Sequence, residues 1–247
     1  MKIAIWLIGG MRTHWKQRCL QSFRQTILNR FDCDLYIVTS KNQGGDEEIV
    51  KHFYPKAKIK YVTEPSEIPE GPNIPDEVQT LTWYRTYLAK SMTIASNKKY
   101  DLIIRARPDI EYRGNFPDFV FNPSNICWIY QHPWKQKNLL EYDDRFAIGS
   151  PEVMYHLADL YNNLPEYYSS SKFGINQNNS EHALFQHLSH TKVAHFVLNN
   201  DLELNCKFVK RKDGGDEDVP MLVSISSLEL IRDNNPDLPP LDWRNFV

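Results

Sequence analysis

The chain has 247 residues, of which 41% are hydrophobic, 13% aromatic and 24% charged, enough for one large α/β domain or two small ones with a substantial core. Its formal net charge of -2 removes the electrostatic case for nucleic acid or an anionic membrane as the principal partner, so an anionic ligand must be met by local clusters. The 4 cysteines, Cys19, Cys33, Cys127 and Cys206, form no CxxC pair and no His/Cys cluster, which indicates neither a zinc site nor a disulfide framework and makes a reducing, cytoplasmic setting the simpler expectation.

The opening KIAIWLI, residues 2–8, reads as a first strand rather than a signal peptide, because the apolar run is short and ends in Gly-Gly-Met-Arg without a small-residue cleavage pattern. A helix over 14–30, a strand over 33–39 (CDLYIVT), a helix near 46–53 and a strand at 57–63 follow, the alternation of a parallel sheet with crossover helices. Residues 63–75, TEPSEIPEGPNIP, read as an irregular loop. A long helix from about 76 to 97 carries Val78, Leu81, Leu88, Met92 and Ala95 near the helical period, with Trp83, Tyr84 and Tyr87 off that stripe. It leads into YDLIIRARPDIEY, whose apolar start is that of a buried strand.

Further strands are expected at 126–131 and 145–149. Ser150-Pro151-Glu152 has the pattern of an N-cap, a proline at the first helical position and an acid on the positive end of the dipole, predicting a helix to about Leu164. A helix from Ser180 or Glu181 to His190 and a strand near 193–198 complete the pattern, and from about Lys210 the sequence turns polar and proline-rich. No segment reaches the roughly 18 uninterrupted apolar residues of a transmembrane helix.

Four constellations could carry chemistry. If residues 102–109 stay extended, Arg105, Arg107 and Asp109 share one face at the carboxyl end of a strand, where open α/β sheets bind ligands. Two guanidiniums suit a diphosphate and a carboxylate suits a hard cation bridging it; an internal Arg-Asp salt-bridge network is the alternative. Gly9 and Gly10, followed by Arg12, would let backbone approach a ligand, or form only a tight turn. Asp143-Asp144 could bind an acceptor hydroxyl or be a solvated turn, and Glu181 in a first helical turn would be an ionised base or a cap. His182, His187, His190 and His195 are irregularly spaced; His195, inside a strand, is the least easily set aside. Tyr84 and its aromatic neighbours suit stacking on a sugar or base, or packing in the core.

Taken together, the strand ending in Gly-Gly-x-Arg, then CDLYIVTS, QTLTWYRTY, YDLIIRARPD, DDRFAIGS and SEHALFQHL resemble small glycosyltransferase-like proteins of bacterial polysaccharide clusters and large DNA viruses, of the GT-A fold, over roughly residues 2–200. The resemblance implies one α/β domain with a mostly parallel, Rossmann-like sheet: a nucleotide-sugar-binding half over about 1–112, a mixed acceptor half over about 113–205 and a C-terminal loop and tail over about 206–247. It implies a nucleotide-sugar donor, a glycan or glycoprotein acceptor, and a transfer that needs a catalytic base if it inverts configuration and none if it retains it. Gly9, Gly10, Arg12, Tyr84, Arg105, Arg107 and Asp109 would hold the donor, and Glu181 or Asp144 would be the catalytic base. Such enzymes commonly hold Mn²⁺ or Mg²⁺ on a DxD motif; here Arg107-Pro108-Asp109 stands in that position, with an arginine for the first acid, and Asp109 and His195 are the nearest match to metal ligands. A sugar-nucleotide pyrophosphorylase shares the fold, but IGGMRTHWK lacks that family's Gly-Thr pair, and a non-catalytic nucleotide- or glycan-binding module remains a reading from another class.

Overall fold

Alternate residues of the first strand go into two different cores. Strand β1 (Ile3–Ile8) sends Ile3, Ile5 and Leu7 to one side and Ala4, Trp6 and Ile8 to the other, every one of them buried. A strand buried on both faces must lie inside a sheet with helices on each side. The computed structural model describes residues 1–11, 14, 17–43, 45–62, 77–113, 126–131, 142–169, 183–184, 186–188, 194–198, 204–208 and 222–223. Arg12 and Glu181 lie outside them.

In chain order the elements are β1, α1 (Gln17–Thr26), β2 (Cys33–Thr39), α2 (Glu47–Phe53), β3 (Lys58–Tyr61), α3 (Glu77–Ala95), β4 (Leu102–Ala106), β5 (Ile110–Arg113), β6 (Ile126–Gln131), β7 (Tyr142–Gly149), α4 (Pro151–Ala158), α5 (Leu160–Ser169), β8 (Ala194–Leu198), β9 (Leu204–Phe208) and β10 (Leu222–Val223). The main sheet has 7 strands in the order β3-β2-β1-β4-β7-β6-β8. The first four are mutually parallel, β7 is antiparallel to both β4 and β6, and β8 is again parallel to β6. One row of paired residues, Leu35, Ile5, Ile104, Ile148, Trp128 and Phe196, runs across it and fixes the level of every strand but β3. A second sheet of 3 strands, β10-β9-β5, is antiparallel. The protein is therefore a mixed α/β fold with a mostly parallel main sheet flanked by helices. No described helix is long and apolar enough to cross a membrane.

One face of the sheet packs on α1 and α2 through Leu20, Phe23, Ile27, Val50 and Tyr54; the other packs on α3, α4 and α5 through Leu81, Trp83, Ala89, Met154, Leu157 and Leu164. Outer strand β3 exposes Lys58 and Lys60, which discourages pairing with a further strand. Where the parallel strands begin, the Tyr100 hydroxyl and Lys98 both donate to Asp34, at 2.7 and 2.8 Å, and the Tyr36 hydroxyl meets that of Tyr100 at 2.6 Å. Desolvation works against the Asp34 anion, but the hydrogen bonds from Lys98 and Tyr100 and the charges of Lys98 and Lys2 outweigh it and hold the carboxyl below its ordinary pKa.

Several expectations are corrected. Residues 102–109 are not one extended run: β4 stops at Ala106 and the chain turns through Arg107-Pro108-Asp109 into β5 of the second sheet, because Pro108 has no N–H to continue a ladder. The sheet-facing side of α3 is not the aliphatic stripe. Thr86, Ala89 and Thr93 are fully buried there, while Leu88 and Met92 are half-buried, because Trp6 and Arg105 bring donors into the core and need oxygen partners: Trp6 Nε1 donates to Thr93 Oγ1 at 2.8 Å and Arg105 Nε to Thr86 Oγ1 at 3.2 Å. Ser150 is the N-cap as expected, its Oγ accepting from the Val153 N–H, but the helix is interrupted at Asp159, whose carboxylate receives Lys90 of α3 at 2.5 Å. Strands β5, β9 and β10 have no counterpart in the sequence reading.

Candidate functional site

The order β3-β2-β1-β4 means that the chain builds outward from β1, then returns to β1's other side; the strand order reverses between β1 and β4. In open sheets the crevice beyond the carboxyl ends at such a point is where ligands bind. Two peptide segments meet there. At the end of β1, Gly9 has φ +129, a conformation L side chains rarely adopt, and a Cβ on it would lie 3.4 Å from Pro108 Cδ. Its N–H donates to Val38 O at 3.1 Å, holding the turn against the end of β2. Gly10 follows under the side chain of Gln43, whose Oε1 would be 2.7 Å from an added Cβ.

The second segment is the β4–β5 corner. Arg107 grips Asp109 with a two-pronged fork, Nε to Oδ1 at 3.0 Å and Nη2 to Oδ2 at 2.7 Å. The side chains are 27% and 18% exposed, so the pair sits at the surface of the crevice rather than inside the core. The Tyr112 hydroxyl closes the corner, accepting from the Arg107 N–H at 3.1 Å and lying 3.0 Å from the Arg107 carbonyl, and the Tyr112 N–H donates to Ser22 Oγ of α1 at 3.0 Å.

His14 ties the two segments together. It follows a turn closed by its own N–H on Met11 O at 2.8 Å, and its ring is fully buried. Nδ1 lies 2.9 Å from Pro108 O, which can only accept, so Nδ1 carries the hydrogen; Nε2 of the neutral ring then accepts from the Tyr54 hydroxyl at 2.5 Å. Burial, reinforced by the charge of Arg24, drives the His14 pKa down to about 4 against the opposing pull of the Pro108 hydrogen bond and Asp109. His14 is thus a neutral rivet between β1's exit and the β4–β5 corner at physiological pH. Beside them, Arg85 of α3 donates to Ser40 Oγ and, at 3.0 Å, to Val62 O, fastening the ends of β2 and β3.

The structure brings together Gly9, Gly10, Arg107 and Asp109, and separates others from them. Arg105 is 1% exposed on the α3 side of β4, its guanidinium 5.1 Å from the Trp83 ring, so the expected face shared by Arg105, Arg107 and Asp109 is not formed: the strand ends between the two arginines. Tyr84 is half-buried against Tyr161 of α5, ring centroids 5.1 Å apart, and so serves the α3–α5 contact. Antiparallel β7 pairs Phe146 with Ala106, which carries the backbone of Asp143 and Asp144 to the carboxyl edge beside the corner; their side chains lie outside the described residues. The chain matches no known protein-family model and no curated protein.

His195 is placed where it cannot join Asp109 in a metal site. It pairs with Cys127 and precedes Phe196, so it lies toward the amino end of the row containing Ile104, whereas Asp109 lies beyond the carboxyl end of β4. β8 is also separated from β4 by β7 and β6, a lateral distance of about 14 Å at roughly 4.8 Å per strand, against metal–ligand bonds of roughly 2.0–2.6 Å. Among the described residues no group of three or more His, Cys, Asp or Glu side chains is arranged to hold a metal ion. With both Asp109 oxygens on Arg107, the described residues do not fit the divalent cation that the GT-A resemblance implies.

Sequence reading missed His14, Gln43, Ser40 and Arg85. The usable signal for His14 was a histidine just past a Gly-Gly turn, inside a stretch read as the start of a helix; for Arg85 it was an arginine beside the aromatic cluster Trp83, Tyr84 and Tyr87.

Proposed function

We propose that the protein is a glycosyltransferase of GT-A type that moves a sugar from a nucleoside-diphosphate sugar to a hydroxyl of a glycan or glycoprotein acceptor. The observation carrying this reading is the juncture of Gly9-Gly10 with Arg107-Pro108-Asp109 at the point where the strand order reverses. A glycine turn that brings the end of β1 against the β4–β5 corner, with a guanidinium at the surface of that corner, suits a diphosphate. Antiparallel β7 next to β4 supports the mixed acceptor half and brings the chain of Asp143-Asp144 to the same edge.

In the inverting course, the acceptor oxygen attacks the anomeric carbon as the bond from that carbon to the diphosphate oxygen breaks, through an oxocarbenium-like transition state. The hydroxyl proton passes to a carboxylate, Asp144 or Glu181, and the nucleoside diphosphate leaves with the bonding pair while Arg107 offsets its charge. Screening UDP-, GDP- and CMP-sugars with simple glycan acceptors, with and without Mn²⁺, tests the assignment. Release of nucleotide with at least one donor is expected, and loss of that release in Asp144→Asn or Glu181→Gln identifies the base. No binding of any donor rejects the site.

A second reading, a non-catalytic module that recognises a nucleotide or glycan, is favoured by the Arg107–Asp109 fork, since a carboxylate already paired is less available for chemistry. Donor binding without turnover under any acceptor would select it.

A further inference from the structure

We infer that the carboxyl-edge site binds its nucleoside diphosphate without a divalent cation, with Asp109 acting as a positioning residue for Arg107 rather than as a metal ligand. The inference rests on the proposed function for the identity of the ligand, but its own ground is the geometry of the corner. A cation bridging a diphosphate needs a carboxylate oxygen turned toward the phosphates, and usually a second protein ligand. Here Oδ1 receives Arg107 Nε and Oδ2 receives Arg107 Nη2, a planar two-bond fork that would have to be opened to admit a metal. The residue two before Asp109, where a DxD motif would supply its other acid, is the arginine itself. His195, the other sequence candidate, lies toward the opposite end of the sheet, three strands away.

The fork gives Asp109 a different task. A lone arginine at a corner has several rotatable bonds, and ordering it on binding costs free energy. Both ends of this corner are tied down, by Tyr112 on the Arg107 backbone and by His14 on Pro108 O, so the carboxylate fixes the guanidinium plane relative to a rigid turn. A pre-oriented guanidinium at this corner presents N–H donors to the diphosphate oxygens in a fixed plane, which is how the site would hold the diphosphate in place of a metal.

Calorimetric titration of the wild-type protein with UDP and GDP, in excess EDTA and again in excess Mn²⁺, tests this directly. The expected result is binding in EDTA, with dissociation constants in the two media agreeing within about threefold. In Asp109→Asn the affinity should weaken by about three- to tenfold by the same factor in both media, because the variant loses the ionic half of the fork and not a metal. Binding seen only in Mn²⁺, or a Mn²⁺-dependent gain above about threefold that Asp109→Asn abolishes, overturns the inference while leaving the proposed function standing. Absence of nucleotide binding in either medium overturns both.

Discussion

Gly9 lacks a side chain because of its φ of +129; a Cβ there would meet the Pro108 ring at 3.4 Å, an ordinary contact. Gly9→Ala should therefore lose about 1–3 kcal/mol, a fall in melting temperature of roughly 2–4 °C per kcal/mol at this chain length, and should also weaken nucleotide binding, since the turn moves away from the corner. Differential scanning calorimetry paired with a nucleotide titration reads both. His14 makes a prediction in pH. Its folded pKa of about 4 lies below the ordinary histidine value of 6.5, so between those values the unfolded chain binds the proton and the folded ring does not. The stabilisation is complete above pH 6.5 and is lost as pH falls toward 4, on the order of 3 kcal/mol in all. Urea denaturation across that window should show a steeper decline for wild type than for His14→Gln; equal slopes would mean that His14 is not buried neutral.

The element that departs most from its sequence pattern is the end of β4. The alternation of LIIRARPD is compatible with a continuous strand, and the decision to bend lies in contacts distant along the chain: the Tyr112 hydroxyl on Arg107, Ser22 on the Tyr112 N–H, and His14 on Pro108 O. The same is true of β5, whose partner β9 arrives some ninety residues later, at Leu204–Phe208. Tyr112→Phe removes the oxygen that receives the Arg107 N–H and should cost about 1–2 kcal/mol in chemical denaturation while loosening the corner. Unchanged stability and unchanged nucleotide affinity would show that the hydroxyl is not what holds the turn. In α3 the legible signal was misleading for a physical reason. Periodicity of aliphatic residues marks a buried face only when the opposing surface is apolar, and here Trp6 and Arg105 ask for Thr93 and Thr86. Where local chemistry decides, as at Ser150 capping α4, the pattern was sufficient, and Ser150→Ala should cost about 1 kcal/mol by the same denaturation assay.

At the scale of the molecule, the alternation of strands and helices through the first half made the parallel sheet legible, because β1, β2 and β4 are short, largely apolar runs buried over most of their length. Sequence spacing also put Gly9, Gly10, Arg107 and Asp109 at strand ends, and the strand order makes those ends neighbours. What spacing could not supply was the level of one strand against another, which removes His195 from the site, or the sidedness of β4, which sends Arg105 into the helix layer. The central claim is that this crevice takes a nucleoside diphosphate. Its most direct test is the thermal shift of wild type and Arg107→Gln with a panel of nucleoside diphosphates. A ligand at a hundred times its dissociation constant adds about 2.7 kcal/mol, so at least one nucleotide should raise the wild-type midpoint by several degrees and leave that of Arg107→Gln nearly unmoved. A wild-type midpoint unmoved by every nucleotide, or a shift that survives in Arg107→Gln, would contradict the account.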